Sequence, residues 1–154
     1  MELRVAHLHT STMQSAGGAH MNVVVVEKAV EIRVRLIEIL RAVAGVKLIG
    51  EADSVSDALD KGLERRADML LVDPQGTAGL ELLARLKQSR PALRVIVLTN
   101  FVNPQYRQAS LAAGADRCLD KSREFSLIPL ILREWIEAAG DRPAVTTNQI
   151  EDQP

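Results

Sequence analysis

Five short apolar runs, each separated from the next by a stretch of helical periodicity, constrain this chain more than any other feature. Asn22–Val26 is β-branched and does not alternate with polar residues. Such a run suits a strand covered on both faces, as in a parallel sheet flanked by helices. Apolar residues then recur at Ile32, Leu36, Ile37, Leu40 and Val43, which predicts a helix over Val30–Val43 with Gly45 as its stop. Val46–Gly50 is a second strand. Ser54 or Ser56 is suited to cap a helix carrying Ala58, Leu59 and Leu63. Met69–Val72 is a third strand, and Leu80, Leu83 and Leu86 stripe a helix that ends before Pro91. Arg94–Leu98 is a fourth strand. A helix from Pro104 to Ala113 follows, with the proline in its first turn and Gly114 at its end. Cys118 and Leu119 lie on a fifth strand, and Leu127, Ile128, Ile131, Leu132, Trp135 and Ile136 mark a final helix.

Strict alternation of five strands with five helices predicts an α/β fold, a flavodoxin-like (βα)5 sandwich with parallel strand order 2-1-3-4-5 and right-handed crossovers. In such sheets the functional site lies at the carboxyl ends of the strands, near the switch in strand order. With aromatics at only 3%, the core is expected to be aliphatic.

The domain is expected to span residues 21–140, with a flexible extension at 1–20 and a disordered tail at 141–154, and Met1 and Met21 both remain as natural starts. The first twenty residues lack the apolar stretch of a signal peptide. His7, His9 and His20 have no Cys or carboxylate cluster beside them, so a solvated tail is the reading preferred over a metal site. A formal net charge of −1 offers no field that would draw nucleic acid or an anionic membrane, and no apolar run reaches bilayer length. The lone Cys118 excludes an internal disulfide and suits a reducing, cytoplasmic setting.

The residues that follow the strands carry the chemistry. They are Glu27 and Lys28, Asp73, Thr99 and Asn100, then Asp120 and Lys121. Two of these carboxylates, a hydroxyl and an ammonium are therefore expected to converge in one crevice. A carboxylate beside an ammonium is a plausible nucleophile, and a phosphoryl group on it would need cationic and hydrogen-bonding partners such as Lys121 and Thr99.

Val-Asp73 closing one apolar strand, Val-Leu-Thr99 closing the next, and Gly114-Ala115-Asp116 followed by Lys121 resemble the receiver domain of bacterial two-component response regulators. The resemblance runs from about Asn22 to Ala138. It implies that Asp73 accepts a phosphoryl group from a sensor histidine kinase or phosphotransfer protein, that Thr99 is the switch hydroxyl, and that Lys121 pairs with Asp73 or a phosphoryl oxygen. It implies Mg²⁺ as the cation, held here by Glu27, Asp73 and the backbone carbonyl of Gln75.

Four departures bear on those implications. The family's acidic pair after the first strand is Glu27-Lys28 here. A lysine donates no oxygen to a metal. Its repulsion of a unit charge costs about 4 kcal/mol at ~4 Å near a protein surface, and about twice that for a doubly charged ion. The loop after Asp73, Pro74-Gln75-Gly76-Thr77-Ala78 leading to Gly79, is about two residues shorter than usual. Asn100 replaces a small residue after the switch hydroxyl. Cys118 stands where the fifth strand usually carries an aromatic switch residue, so the usual aromatic flip coupled to Thr99 is not expected. Cys118 itself is expected to be a small core residue rather than a redox switch.

Three readings follow. In the first, the chain is a non-enzymatic receiver that signals by protein–protein contact, with no DNA-binding domain following. Its output face is then the last two helices and the strand between them, with Tyr106, Arg107, Arg117 and Arg133 as contacts and a homodimer as one outcome. In the second, it is a pseudo-receiver that ignores phosphate, Asp73 being a structural acid and Lys28 an ammonium that stands in for the metal. In the third, it is an enzyme acting on a small molecule, for which no phosphate-cradling glycine motif or Ser-His-Asp arrangement is present.

Overall fold

The computed structural model describes residues 20–100 and 103–140. Five strands alternate with five helices: β1 (Met21–Val26), α1 (Val30–Arg41), β2 (Val46–Ala52), α2 (Val55–Asp60), β3 (Met69–Val72), α3 (Thr77–Ser89), β4 (Arg94–Thr99), α4 (Pro104–Ala112), β5 (Arg117–Asp120) and α5 (Leu127–Gly140). A single 3-10 turn, Leu63–Arg65, lies between α2 and β3. All neighbouring strands pair in parallel, in the order β2-β1-β3-β4-β5. The expected fold class and strand order are both observed.

The lack of alternation along the strands now has its physical reason. Val23 and Val25 of β1 enter a core with α1 and α5, alongside Met69, Leu71, Ile96, Leu98 and Leu119. Their neighbours Val24 and Val26 enter a second core on the opposite face, with Leu70, Val72, Val95, Val97 and Cys118. Successive side chains leave a strand on opposite faces, so a sheet covered twice needs apolar residues at every position. Cys118 is buried, as expected of a small core residue, and burial pushes its thiol pKa up.

Several boundaries differ from the sequence reading. The first helix stops at Arg41, two residues early, because Ala42 and Val43 already turn the chain toward β2 with backbone hydrogen bonds to Ile39 and Leu40. β2 runs on to Ala52, since parallel pairing with β1 continues to Val26. Leu63 lies outside α2, which Ser54 caps by accepting the Asp57 N–H at 3.0 Å. Asp120 belongs to β5 rather than following it. The readings placed on residues 1–19 and 141–154, including those for His7, His9 and the tails, lie outside the described residues. No helix among the described residues is long and apolar enough to cross a membrane.

The Gly114-Ala115-Asp116 motif works at the amino end of β5, away from the strand ends that carry the chemistry. Asp116 accepts the Val95 N–H at 2.8 Å, and Lys87 and Arg94 approach it at 3.5 and 3.9 Å. The motif thus pins the start of β5 against β4 and sets the register that pairs Thr99 with Asp120. Asp116→Ala is expected to lose about 1.5–3 kcal/mol, the range for a hydrogen bond to a charged group. Urea unfolding would show this as a lower midpoint with an unchanged slope.

Candidate functional site

Four strand ends assemble one cluster. Glu27 follows β1, Asp73 follows β3, Thr99 ends β4 and Lys121 follows β5. The Lys121 side chain lies between the two acids, its Nζ 2.7 Å from Glu27 Oε1 and hydrogen-bonded to Asp73 Oδ2. Thr99 is buried on the strand between Asp73 and Lys121, and its carbonyl accepts the Lys121 N–H at 3.0 Å. The structure therefore gathers Glu27, Asp73, Thr99 and Lys121 at one rim, as the spacing of the strands requires.

Local hydrogen bonds hold each member. Lys121 sits in a turn closed by the Asp120 carbonyl, which accepts the Glu124 N–H at 2.9 Å. Glu124 accepts the Asp120 N–H at 2.8 Å, and the Asp120 carboxylate accepts from both the backbone and the hydroxyl of Ser122. Those Ser122 hydrogen bonds hold the Asp120 carboxyl below the usual carboxylate range. Glu27 Oε2 accepts the Ala29 N–H at 2.9 Å as the chain turns into α1.

The loop after Asp73 is tight, and its geometry is unusual. Gln75 adopts φ 61° and Gly76 φ 110°. A non-glycine residue in the left-handed region stores roughly 1–3 kcal/mol and persists only where its surroundings hold it. Here the Gln75 N–H donates to Asp73 Oδ1 at 2.9 Å, and its side-chain amide donates to the Asp53 carbonyl at 3.0 Å. Gly79 is required by close approach, because a Cβ there would lie 1.8 Å from the Pro74 carbonyl oxygen. The shortened loop thus aims one backbone N–H at Asp73 and leaves little room to relax.

Burial separates the two acids. The Glu27 and Lys121 side chains are 2% and 7% exposed, whereas that of Asp73 is 17% exposed. Asp73 is the carboxylate that a molecule in solution can reach. Burial by itself would lower the Lys121 pKa, but its pairing with Asp73 and Glu27 outweighs that and holds the ammonium above the ordinary lysine value.

In this arrangement the Lys121 ammonium lies between Glu27 and Asp73, the two carboxylates named for Mg²⁺. Glu27 Oε2 and both Asp73 oxygens accept hydrogen bonds, from the Ala29 N–H, the Gln75 N–H and Lys121, whereas the buried Glu27 Oε1 is ion-paired with Lys121 at 2.7 Å but accepts no hydrogen bond. Among the described residues no three His, Cys, Asp or Glu side chains gather as a metal-binding group. Lys28 adds no oxygen and is exposed. It is also not the ammonium that neutralises the pocket. Lys121 does that, because the chain turns away into α1 immediately after Glu27 and leaves Lys28 outside. Asn100 is exposed as well.

Three contributors were missed by the sequence reading. Arg33 donates to the Glu27 carbonyl at 2.6 Å and pairs with Asp53 at 2.9 Å and Glu51 at 3.3 Å, tying β1 to β2 beside the site. The signal was two acids at the end of β2 and an arginine one turn into the preceding helix. Asp53, after β2, was left out of the rim although its carbonyl anchors Gln75. Tyr106 was assigned to the output surface, but its hydroxyl is buried and its ring packs on the core that contains Cys118. Arg107, Arg117 and Arg133 are exposed as expected.

Comparison with known proteins agrees with this fold. Residues 23–133 match the model of the response regulator receiver domain family. The response regulator GacA of Pseudomonas viridiflava is 30% identical over 97 residues, which cover 62% of this chain and 45% of that protein. The response regulator protein VraR of Staphylococcus epidermidis is 26% identical over 108 residues, 69% of this chain and 52% of that one. The chain spans about half the length of these relatives. Among solved structures, the non-phosphorylated receiver domain of the stress response regulator RcsB from Escherichia coli superimposes with a TM-score of 0.66 at 25% identity, covering 77% of this chain and 95% of that one. The isolated receiver domain of RcsB from Salmonella enterica serovar Typhimurium gives a TM-score of 0.68 at 23% identity, over 86% and 100% of the two chains.

Removing the shared ammonium leaves two carboxylates facing each other with little solvent. Lys121→Met is expected to destabilise the fold by about 3–5 kcal/mol, the cost of breaking a buried pair, and the double change Glu27→Gln/Lys121→Met to recover part of that in urea unfolding. Because the Lys121 pKa is raised on folding, its stabilisation is complete below the ordinary lysine value of 10.5 and is lost as pH rises through the higher folded value. Stability measured from pH 9 to 12 should therefore fall more steeply in the wild type than in Lys121→Met.

Proposed function

Since this chain belongs to the response regulator receiver domain family, we propose that it accepts a phosphoryl group on Asp73 and signals by protein–protein contact. The observation that carries the reading is the Lys121 clamp, which fixes two carboxylates at one rim but leaves only Asp73 open to solvent.

The chemistry follows from that asymmetry. A phosphohistidine on a sensor kinase or phosphotransfer protein presents its phosphorus to an Asp73 oxygen. The oxygen–phosphorus bond forms as the nitrogen–phosphorus bond breaks, and the electron pair leaves with the imidazole. Lys121 and the Gln75 N–H already address the Asp73 carboxylate, so cationic and hydrogen-bonding partners stand where charge accumulates. The phosphoryl group replaces one negative charge with about two. That addition weakens the balance Lys121 strikes between Glu27 and Asp73 and favours a rearranged rim, in which Thr99 serves as the switch hydroxyl. Output follows as a shift between conformations.

Exposed Arg107 and Arg117 on α4 and β5, with Leu130 and Arg133 on α5, offer the downstream partner mixed apolar and cationic contacts. The setting is the cytoplasm, where kinases of this kind present their phosphohistidine, and the role is that of a signalling module rather than an enzyme.

Incubation with acetyl phosphate and Mg²⁺ tests the reading. Intact mass should show one added phosphoryl group on the wild type and none on Asp73→Asn. Lys28→Asp should raise the yield by removing an exposed positive charge next to Glu27 that repels Mg²⁺. No adduct on either the wild type or Lys28→Asp would contradict phosphoacceptance and leave a binding module that ignores phosphate.

A further inference from the structure

β2 is an outer strand, paired with β1 alone. A cavity of about 390 Å³ lies beside it, between the strand and the chain that leaves α2. Its lining holds three cations and no acid: Lys47 of β2, Lys61 just after α2, and Arg66 just beyond the 3-10 turn. The chain as a whole carries 19 Lys and Arg against 20 Asp and Glu, so the one-sided lining is a local feature and not a reflection of composition. Ile49 and Leu63, both half-buried, give the cavity apolar surface.

The three cations differ in what they already hold. Lys61 pairs with Asp57 at 3.2 Å, one turn back, and donates to the Glu51 carbonyl at 3.3 Å. Lys47 and Arg66 are exposed, and among the described residues neither side chain makes a hydrogen bond or an ion pair. The backbone that carries them is nonetheless fixed. The Asn22 side-chain amide donates to the Arg66 carbonyl at 3.2 Å and ties that stretch to β1. Leu63 leans over Gly50, where a Cβ would lie 2.6 Å from one of its methyl carbons. Leu48 pairs with Val23 and Gly50 with Val24, so Ile49 is an extra residue and β2 bulges beside the cavity.

We propose that this cavity is a docking site for an acidic peptide segment of a partner protein, which sets an apolar side chain against Ile49 and Leu63 and its carboxylates at Lys47 and Arg66. A lysine on an edge strand can serve only to keep other strands away. That role accounts for Lys47, but not for Arg66 and Lys61, which lie off the strand on the other side of the cavity. The three charges come from separate stretches of chain and stay hydrated. They suit separate carboxylates on an extended chain rather than one compact anion held by converging, desolvated groups. The bulge at Ile49 interrupts the regular edge, so recognition falls to side chains and not to a continuous backbone ladder. β2 and β5 are opposite edges of the sheet, so this surface is separate from the α4, β5 and α5 face and does not depend on the state of Asp73.

The probe is a fluorescent synthetic peptide, Glu-Asp-Leu-Glu-Leu-Asp-Glu, titrated with the full chain and followed by anisotropy. Its uncharged counterpart, Gln-Asn-Leu-Gln-Leu-Asn-Gln, is the control. The acidic peptide should bind saturably and the control should not. In ¹⁵N-labelled wild type the amides that shift should centre on residues 47–50 and 61–66, which locates the site without any substitution. Lys47→Glu/Arg66→Glu should weaken binding about tenfold, the loss of two exposed charge pairs, whereas Arg85→Glu, an exposed cation reversed on α3, should leave it within about twofold. Equal binding to wild type and the double variant, or equal weakening by Arg85→Glu, would show general charge attraction and overturn the proposal. So would no saturable binding up to about 1 mM peptide. Displacement of the peptide by an equal concentration of inorganic phosphate would make this a small-anion site. Self-association of the wild type that is lost in the double variant would make the occupant a second copy of the chain. Either result overturns the assignment to an acidic partner segment.

Discussion

One ammonium held between two carboxylates organises this molecule. Lys121 reaches Glu27 and Asp73 from the far side of β4, so its contacts span the carboxyl ends of β1, β3 and β5. Two carboxylates set this close with little water repel, and the shared cation offsets that repulsion. The sheet is what makes the arrangement affordable. Parallel pairing brings the three strand ends to one edge, and the Asp116 anchor at the opposite edge of β5 fixes the register that delivers Lys121.

Function follows from the asymmetry inside that cluster. Glu27 is sealed and Asp73 is not, so the same clamp closes one acid off and leaves the other open to solvent. Two carboxylates against one ammonium leave a formal charge of −1, and a further negative charge on Asp73 upsets a balance already incomplete. An unstable balance of this kind suits a switch, because a modest chemical change then redistributes contacts across several strand ends.

Much of this was legible in the chain itself. Doubly covered strands announce themselves by apolar residues at every position, and the residues after the strands then include Glu27, Asp73, Thr99 and Lys121, together with Lys28, Asn100 and Asp120. Other features were not legible for definite reasons. Whether Lys28 or Lys121 fills the pocket depends on where the backbone turns after Glu27, which hydrophobic patterning does not encode. The inward aim of Tyr106 depends on the rotation of α4, whose apolar stripe is weak: Ser110 is its one buried residue. Arg33 and Asp53 looked like ordinary surface charges, and only the extension of β2 to Ala52 brings Asp53 to the rim. The left-handed Gln75 was not legible because propensity disfavours it; its hydrogen bonds to Asp73 and Asp53 hold it.

The side-chain nitrogen of Lys121 offers the most direct test of the central claim. In ¹⁵N-labelled protein near neutral pH, an ammonium clamped between Glu27 and Asp73 should exchange its protons slowly enough to give a resolved resonance. The carboxyl ¹³C signals of both Glu27 and Asp73 should move in Lys121→Met. A Lys121 ammonium exchanging as fast as exposed lysines, or a carboxyl response confined to one of the two acids, would contradict the shared clamp and the reading built on it.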